Sequence, residues 1–127
     1  MSFKELSCQA GHGGAIRGVR IRQRGNADLV VVSLGRELCA TLGFHTSGRI
    51  TVLIGSGGDR GKVLLKKSQE PLKGFKLSVK SENRSGAPFF TIKGSRLGLK
   101  AKIPPVDCSF TYSQGGLVVT LPEKILE

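Results

Sequence analysis

Alternation of apolar and polar residues predicts short β-strands near the start of the chain. The segment Gly18–Arg24 (GVRIRQR) alternates strictly, with Val19 and Ile21 on one face and arginines on the other. Turn-forming residues, Gly25–Asp28, separate this segment from the β-branched run Leu29–Val32. We therefore expect a hairpin whose first strand is half buried and carries a cationic outer face.

A short helix is predicted directly after this hairpin. Leu34, Leu38 and Leu42 recur every four residues, as on one face of a helix of about two turns. Ser33 is the expected N-cap, because its hydroxyl can accept a hydrogen bond from the first turn. Gly43 is the expected left-handed C-cap.

A second pair of strands follows the helix. Arg49–Ile54 alternates again, and Lys62–Lys67 forms its partner beyond the glycine-rich loop Gly55–Gly61. The predicted order is therefore strand, strand, helix, strand, strand.

The same succession of signals begins again after a polar joint. Gly74–Lys80 (GFKLSVK) stands 56 positions after Gly18–Arg24 and keeps the same inside-outside parity. The later signals recur in order, at offsets of 54 to 59: Phe89–Ile92, Leu97–Leu99, Cys108 with Phe110 and Tyr112, and Gly115–Val119. The alternative is that two β-rich halves align loosely by composition.

This repeat predicts a mainly β fold, a small barrel of two ββαββ-like repeats with one or two very short helices. Its expected parts are a flexible leader at 1–15, a first repeat at 16–67, a joint at 68–73 and a second repeat at 74–122. Residues 16–122 together should form one compact domain, because a repeat of about 50 residues buries too little apolar surface alone. Gly94 and Gly98 favour a loop or a single turn in the second repeat, where the first has its helix.

The segment Leu29–Lys67, LVVVSLGRELCATLGFHTSGRITVLIGSGGDRGKVLLKK, resembles the SpoVT-AbrB family of swapped-hairpin barrels. Residues 16–67 resemble the family well and residues 73–122 weakly. The resemblance implies a DNA-binding transcriptional regulator or an antitoxin, in which one half-barrel needs a second to close. Gly35, Cys39 and Ala40 depart from the family pattern of a proline at the junction and a basic pair in the helix, so the helix contacts to DNA are not carried over.

Net charge points to a polyanionic partner. Twenty Lys and Arg against nine Asp and Glu give +11 at pH 7 and a pI near 10.2. Double-stranded DNA is expected on the family resemblance, since charge alone does not separate DNA from RNA. The alternatives are a small inhibitor or adaptor that docks an acidic protein surface, and RNA binding. The active particle is expected to be a monomer or a homodimer.

Arg20, Arg22 and Arg24 are the first binding candidates. They project from one strand face about 6.5–7 Å apart, close to the spacing of successive phosphates along a DNA strand. The other candidates could widen the surface from the strand entrance, the first helical turn, the ends of the later strands and the glycine-rich hairpin tip: Arg17, Arg36, Arg49, Lys66, Lys67, Arg60 and Lys62. The alternative is that these cations form a solvated face that keeps a small β-protein soluble.

The sequence offers no legible catalytic or metal-binding set, so we expect a non-enzymatic protein without cofactor. Gly55 to Gly61 encloses five residues instead of the four of a phosphate-binding loop, and a strand follows Lys62 instead of a helix. Tyr112 and the six Phe are assigned mostly to core positions, with base stacking as a secondary possibility.

Cysteine use and hydropathy suggest a cytoplasmic protein. Cys8, Cys39 and Cys108 are an odd number without metal-site spacing, which favours reduced, partly buried thiols. No apolar stretch approaches the ~18 residues of a membrane span, and the start lacks the apolar run of a signal peptide. We therefore expect no membrane partner.

Overall fold

The fold is described from a computed structural model, for residues 18–25, 28–45, 48–68, 73–78, 87–113 and 115–127. Within these ranges the chain forms strands and one α-helix in the following order: β1 Val19–Gln23, β2 Val30–Leu34, α1 Arg36–Leu42, β3 Arg49–Ile54, β4 Lys62–Lys67, β5 Phe75–Lys76, β6 Phe89–Ile92, β7 Val106–Ser113 and β8 Gly116–Thr120. Short 3-10 turns occupy Gly57–Asp59, Gly94–Leu97 and Glu123–Ile125.

The eight strands form a nearly closed antiparallel barrel in the order β5-β3-β4-β8-β7-β1-β2-β6. The two ends of this sheet meet where Ser78 and Phe89 exchange backbone hydrogen bonds of 2.8 Å in both directions. Closure leaves few unpaired strand edges, which suits a chain made of short strands. The mainly β barrel expected from the sequence is confirmed.

Pairs of strands from the two halves of the chain alternate around the barrel. Every strand of the first half has one neighbour from the second half: β1 pairs with β7, β2 with β6, β3 with β5 and β4 with β8. Val19 of the first half pairs with Cys108 of the second. Their repeat equivalents, Phe75 of the second half and Ile50 of the first, pair in the same way. The offsets of 56 and 58 between these residues are those of the sequence repeat, so the two halves are related by an approximate two-fold axis.

The turn after β2 shows where the predicted helix cap was wrong. Ser33 is buried in β2, and Gly35 is the N-cap without a side-chain hydrogen bond. The strand runs on through Leu34, which is fully buried and pairs with Val19, so the helix begins two residues later than the Ser33 cap implied. The predicted left-handed C-cap is present at Gly43, with φ 73°.

The second half replaces this helix by a single 3-10 turn, as its glycines predicted. Gly94–Leu97 occupies the place of α1 and ends at Gly98, whose φ of 72° matches that of Gly43. The shorter element arises because glycine at both ends of the segment costs helix stability.

Both halves supply the barrel core. The largest side chains that are almost fully buried come from either side of the joint: Val19, Ile21, Leu34, Ile50 and Leu65 from the first half, and Leu77, Leu117, Val119 and Ile125 from the second. Leu65 and Leu117 are cross-strand partners across the β4–β8 seam. The core is therefore shared, and neither half holds a complete one.

Truncation of Leu117 to alanine should destabilise the whole barrel. Leu117 has no exposed surface, so Leu117→Ala leaves a cavity and should lower the free energy of unfolding by about 2–5 kcal/mol. Leu53→Ala is the matched control, because Leu53 is 47% exposed and its truncation should change stability by less than about 0.5 kcal/mol. Urea unfolding followed by circular dichroism measures both, and equal effects would contradict the shared core.

Candidate nucleic-acid interface

The outer face of β1 carries the arginines that the alternation predicted. Val19 and Ile21 are 2% and 1% exposed, whereas Arg20 and Arg22 point away from the core and are exposed. Arg24 follows the strand, and its backbone N–H donates to the carbonyl of Leu29 at 2.9 Å, which closes the β1–β2 hairpin. We call Arg20, Arg22 and Arg24 the β1 face.

One member of the β1 face is partly neutralised. Arg20 Nη1 lies 3.6 Å from Asp107 Oδ1, on the neighbouring strand β7, and both side chains are well exposed. An exposed pair of this kind contributes little to stability, but the carboxylate lowers the local positive potential. Arg22 and Arg24 make no ion pair with any other residue that the structure describes, so they carry most of the unopposed charge of the face.

Sequence patterning missed two exposed lysines, Lys100 and Lys102, that lie near the end of β1. The side chain of Gln23 donates to the carbonyl of Ala101 and accepts from the N–H of Ile103 at 3.4 Å. These bonds fix the segment before β7 beside the end of β1, with Lys100 and Lys102 exposed there. The segment has no strand or helix periodicity, and the contact joins positions almost 80 residues apart, so no local signal reveals it.

A second group of cations lies on the outer face of β3, β4 and β5. Arg49 and Lys76 are directly opposite each other, and Lys66 is opposite Thr51, the next outward residue of β3. Arg49 also donates from Nη1 to the carbonyl of Gly74 at 3.2 Å. We call Arg49, Lys66 and Lys76 the β3 face.

The β1 face and the β3 face are on opposite sides of the barrel. In the strand order, the seam between β7 and β1 lies four strands from the seam between β3 and β5 in either direction. The arginines of β1 therefore do not share one surface with Arg49 and Lys66, which the sequence could not indicate.

The remaining predicted cations are scattered. Arg60 and Lys62 lie at the β3–β4 connection, where Arg60 donates to the backbone oxygen of Glu127. They line a pocket of about 230 Å³ together with Arg96. Arg36 is exposed at the start of α1, Lys67 is exposed at the end of β4, and Arg17 lies outside the described residues.

Asp28 ties the β1–β2 turn to the second half. Its carboxylate accepts from the hydroxyl of Ser95 at 2.6 Å and from the backbone N–H of Ser95 at 3.0 Å. Both bonds lower the pKa of Asp28 below its ordinary value of 3.8, and the hydroxyl bond has the larger effect. This link holds the turn beside Gly94–Leu97 and so fixes the end of the β1 face.

The buried thiols are chemically quiet. Cys39 and Cys108 are both free and buried, and desolvation raises the pKa of each to about 11. A thiol of that pKa is almost wholly protonated at neutral pH, so it is a poor nucleophile. Both of these thiols are thus at least as buried as the sequence predicted, and Cys8 lies outside the described residues. Within the described ranges, no three His, Cys, Asp or Glu side chains come together as a metal site.

Comparisons of the chain with protein-family models, with curated proteins and with solved structures found no match. In the described part of the chain, no helix has the length and apolar character that crossing a bilayer requires. The assignment of a function therefore depends on the geometry of the charged faces.

Removal of the Asp28 charge should weaken the fold in a pH-dependent way. Because folding lowers the pKa of Asp28, its contribution to stability is present above about pH 4 and is lost as pH falls through the folded-state value. The melting temperature of Asp28→Asn should lie below that of the wild type at pH 7, and the difference should shrink towards pH 2.5. Asp59→Asn, on the exposed β3–β4 turn, controls for loss of a negative charge as such. A difference that is the same at both pH values would contradict the role of the Ser95 bonds.

Proposed function

We propose that this chain is a non-enzymatic protein that binds double-stranded DNA through the β1 face and acts as a regulator of transcription. The observation that carries the proposal is that Arg22, on β1, and Arg24, directly after it, are exposed and have no ion-pair partner among the described residues. The choice of duplex DNA over RNA, and the regulatory role, rest on the resemblance of Leu29–Lys67 to the SpoVT-AbrB family.

The geometry of the β1 face suits a phosphate backbone. Alternate residues of a strand are about 6.5–7 Å apart, and guanidinium groups bind phosphate oxygens through two parallel hydrogen bonds. Lys100 and Lys102 are exposed near the end of β1, on the segment that the Gln23 side chain holds, and add positive charge to that end of the barrel. Binding would release counterions from the DNA, so affinity should fall steeply as salt is raised.

An acidic protein surface is the second candidate partner, and one feature favours it. Leu53, Leu64 and Val118 are cross-strand neighbours on the outer face of β3, β4 and β8. They line a shallow groove of about 410 Å³ that also includes Lys62 and Asp59. A protein with an apolar contact, and with a carboxylate placed beside Lys62 and away from Asp59, would match this groove.

Removal of two arginines and removal of one carboxylate should change DNA affinity in opposite directions. The double variant Arg22→Ala/Arg24→Ala should weaken binding to a random-sequence duplex about tenfold or more at low salt. It should also reduce the log–log salt slope by about 2, at about 0.9 for each phosphate that the variant no longer neutralises. Asp107→Asn should tighten binding, because it frees Arg20 from its ion pair. Fluorescence anisotropy at several salt concentrations measures both.

Unchanged affinity and slope in both variants would contradict the DNA-binding proposal. A wild-type salt response that is weak or flat would favour the acidic protein partner instead, since a phosphate interface cannot be insensitive to salt.

A further inference from the structure

The β3 face contains a contact that is unfavourable for the isolated protein. Arg49 and Lys76 are direct cross-strand partners and both point outward. Residues opposite each other in an antiparallel pair have Cα atoms about 5 Å apart, and like charges at such positions are destabilising. The contact therefore calls for an explanation outside the stability of the barrel.

The other half of the molecule shows that the fold admits the neutral alternative. By the two-fold relation, Lys76 corresponds to Arg20 and Arg49 corresponds to Asp107, at offsets of 56 and 58. The equivalent contact on the β1–β7 seam is thus the ion pair of Arg20 with Asp107. A carboxylate fits this backbone position, and the chain has an arginine there.

The surroundings of Arg49 and Lys76 add further positive charge. Lys66, on the neighbouring strand β4, is opposite Thr51, which is the next outward-facing residue of β3 after Arg49. The carbonyl of Gly74 holds the Arg49 guanidinium at 3.2 Å against the sheet. No carboxylate among the described residues forms an ion pair with Arg49, Lys66 or Lys76. An anion seated between the three side chains would remove the repulsion and receive charge-assisted hydrogen bonds from all of them.

We propose that Arg49, Lys66 and Lys76 form a second phosphate-binding site, which takes the backbone of a second DNA duplex while the β1 face holds the first. This inference rests on the proposed function of the β1 face. Because the two faces lie on opposite sides of the barrel, one duplex cannot cover both without wrapping around the protein. A single chain therefore bridges two DNA segments.

The test uses two duplexes, one fixed to beads and one free and fluorescent. Wild-type protein should retain the free duplex on the beads. Arg49→Asp places a carboxylate opposite Lys76, which mimics the β1–β7 seam, and should reduce retention at least tenfold. The same change should raise the melting temperature by a few degrees, because it replaces a repulsion with an ion pair. Binding of one duplex in solution should change by less than about threefold.

Two further variants separate the site from net charge. Arg49→Lys keeps a cation and should retain most of the bridging. The exchange Arg49→Asp with Asp107→Arg keeps the net charge of +11 and should bind one duplex tightly without bridging two. Bridging by this charge-balanced variant at the wild-type level would overturn the proposal.

The remaining outcomes are also decisive. If wild-type protein binds one duplex and retains no second, the bridging inference is wrong and the proposed function stands; if it binds no duplex at all, both fail. A homodimer that used two β1 faces would bridge DNA and be unaffected by Arg49→Asp, which would overturn the second site. Inorganic phosphate, added at matched ionic strength, provides a last comparison. If it stabilises the wild type but not Arg49→Asp, and no second duplex is retained, the site binds free phosphate and the bridging inference is wrong.

Discussion

The pairing of strands between the two halves of the chain is the constraint on which the rest of the structure depends. Each strand of the first half is hydrogen-bonded on one side to a strand of the second half. A half taken alone would have unpaired strand edges and an incomplete core, and a segment of about 60 residues has little apolar surface with which to compensate. The exchange closes the sheet and buries residues such as Leu65 and Leu117 against each other. The same pairing determines where the β1 face and the β3 face lie, because the strand order decides which cations are neighbours.

The two halves share a backbone plan and differ in the chemistry placed on it. At equivalent positions the chain has an ion pair, Arg20 with Asp107, and a like-charge pair, Arg49 with Lys76. Divergence of this kind requires no change in the barrel, since both pairs point outward and away from the core. The inward residues are constrained more tightly: Val19 and Cys108 correspond to Phe75 and Ile50, and all four remain apolar. An outer surface can therefore acquire a binding role while the core keeps the fold.

Local patterning was sufficient for the features that depend on local sequence. Alternation predicted β1 and its outward arginines, and the repeat offsets predicted which residues of the two halves correspond, as the pairs Val19 with Cys108 and Phe75 with Ile50 show. The weak second helix followed from Gly94 and Gly98. The Ser33 cap was wrong because tertiary burial of Leu34 extended the strand past the residue with the best capping propensity.

Features that depend on closure of the barrel could not be predicted from the sequence. The ion pair of Arg20 with Asp107 joins β1 to β7 across the whole chain, and the Gln23 bonds that bring Lys100 and Lys102 beside β1 do the same. The separation of the cations into two faces follows from the order of strands around the barrel, which the alternation pattern does not encode. Local periodicity specifies which side of a strand a residue occupies, whereas the ring of strands specifies its neighbours.

Separation of the two halves tests the central claim most directly. The chain can be divided in the joint into two fragments, 1–70 and 71–127, and each can be studied alone and after mixing by circular dichroism and sedimentation. We expect neither fragment to unfold cooperatively as a monomer, and we expect the equimolar mixture to recover the β-sheet signal and a single unfolding transition. A fragment that folds cooperatively as a monomer would contradict the account, because its sheet would then close without strands from the other half.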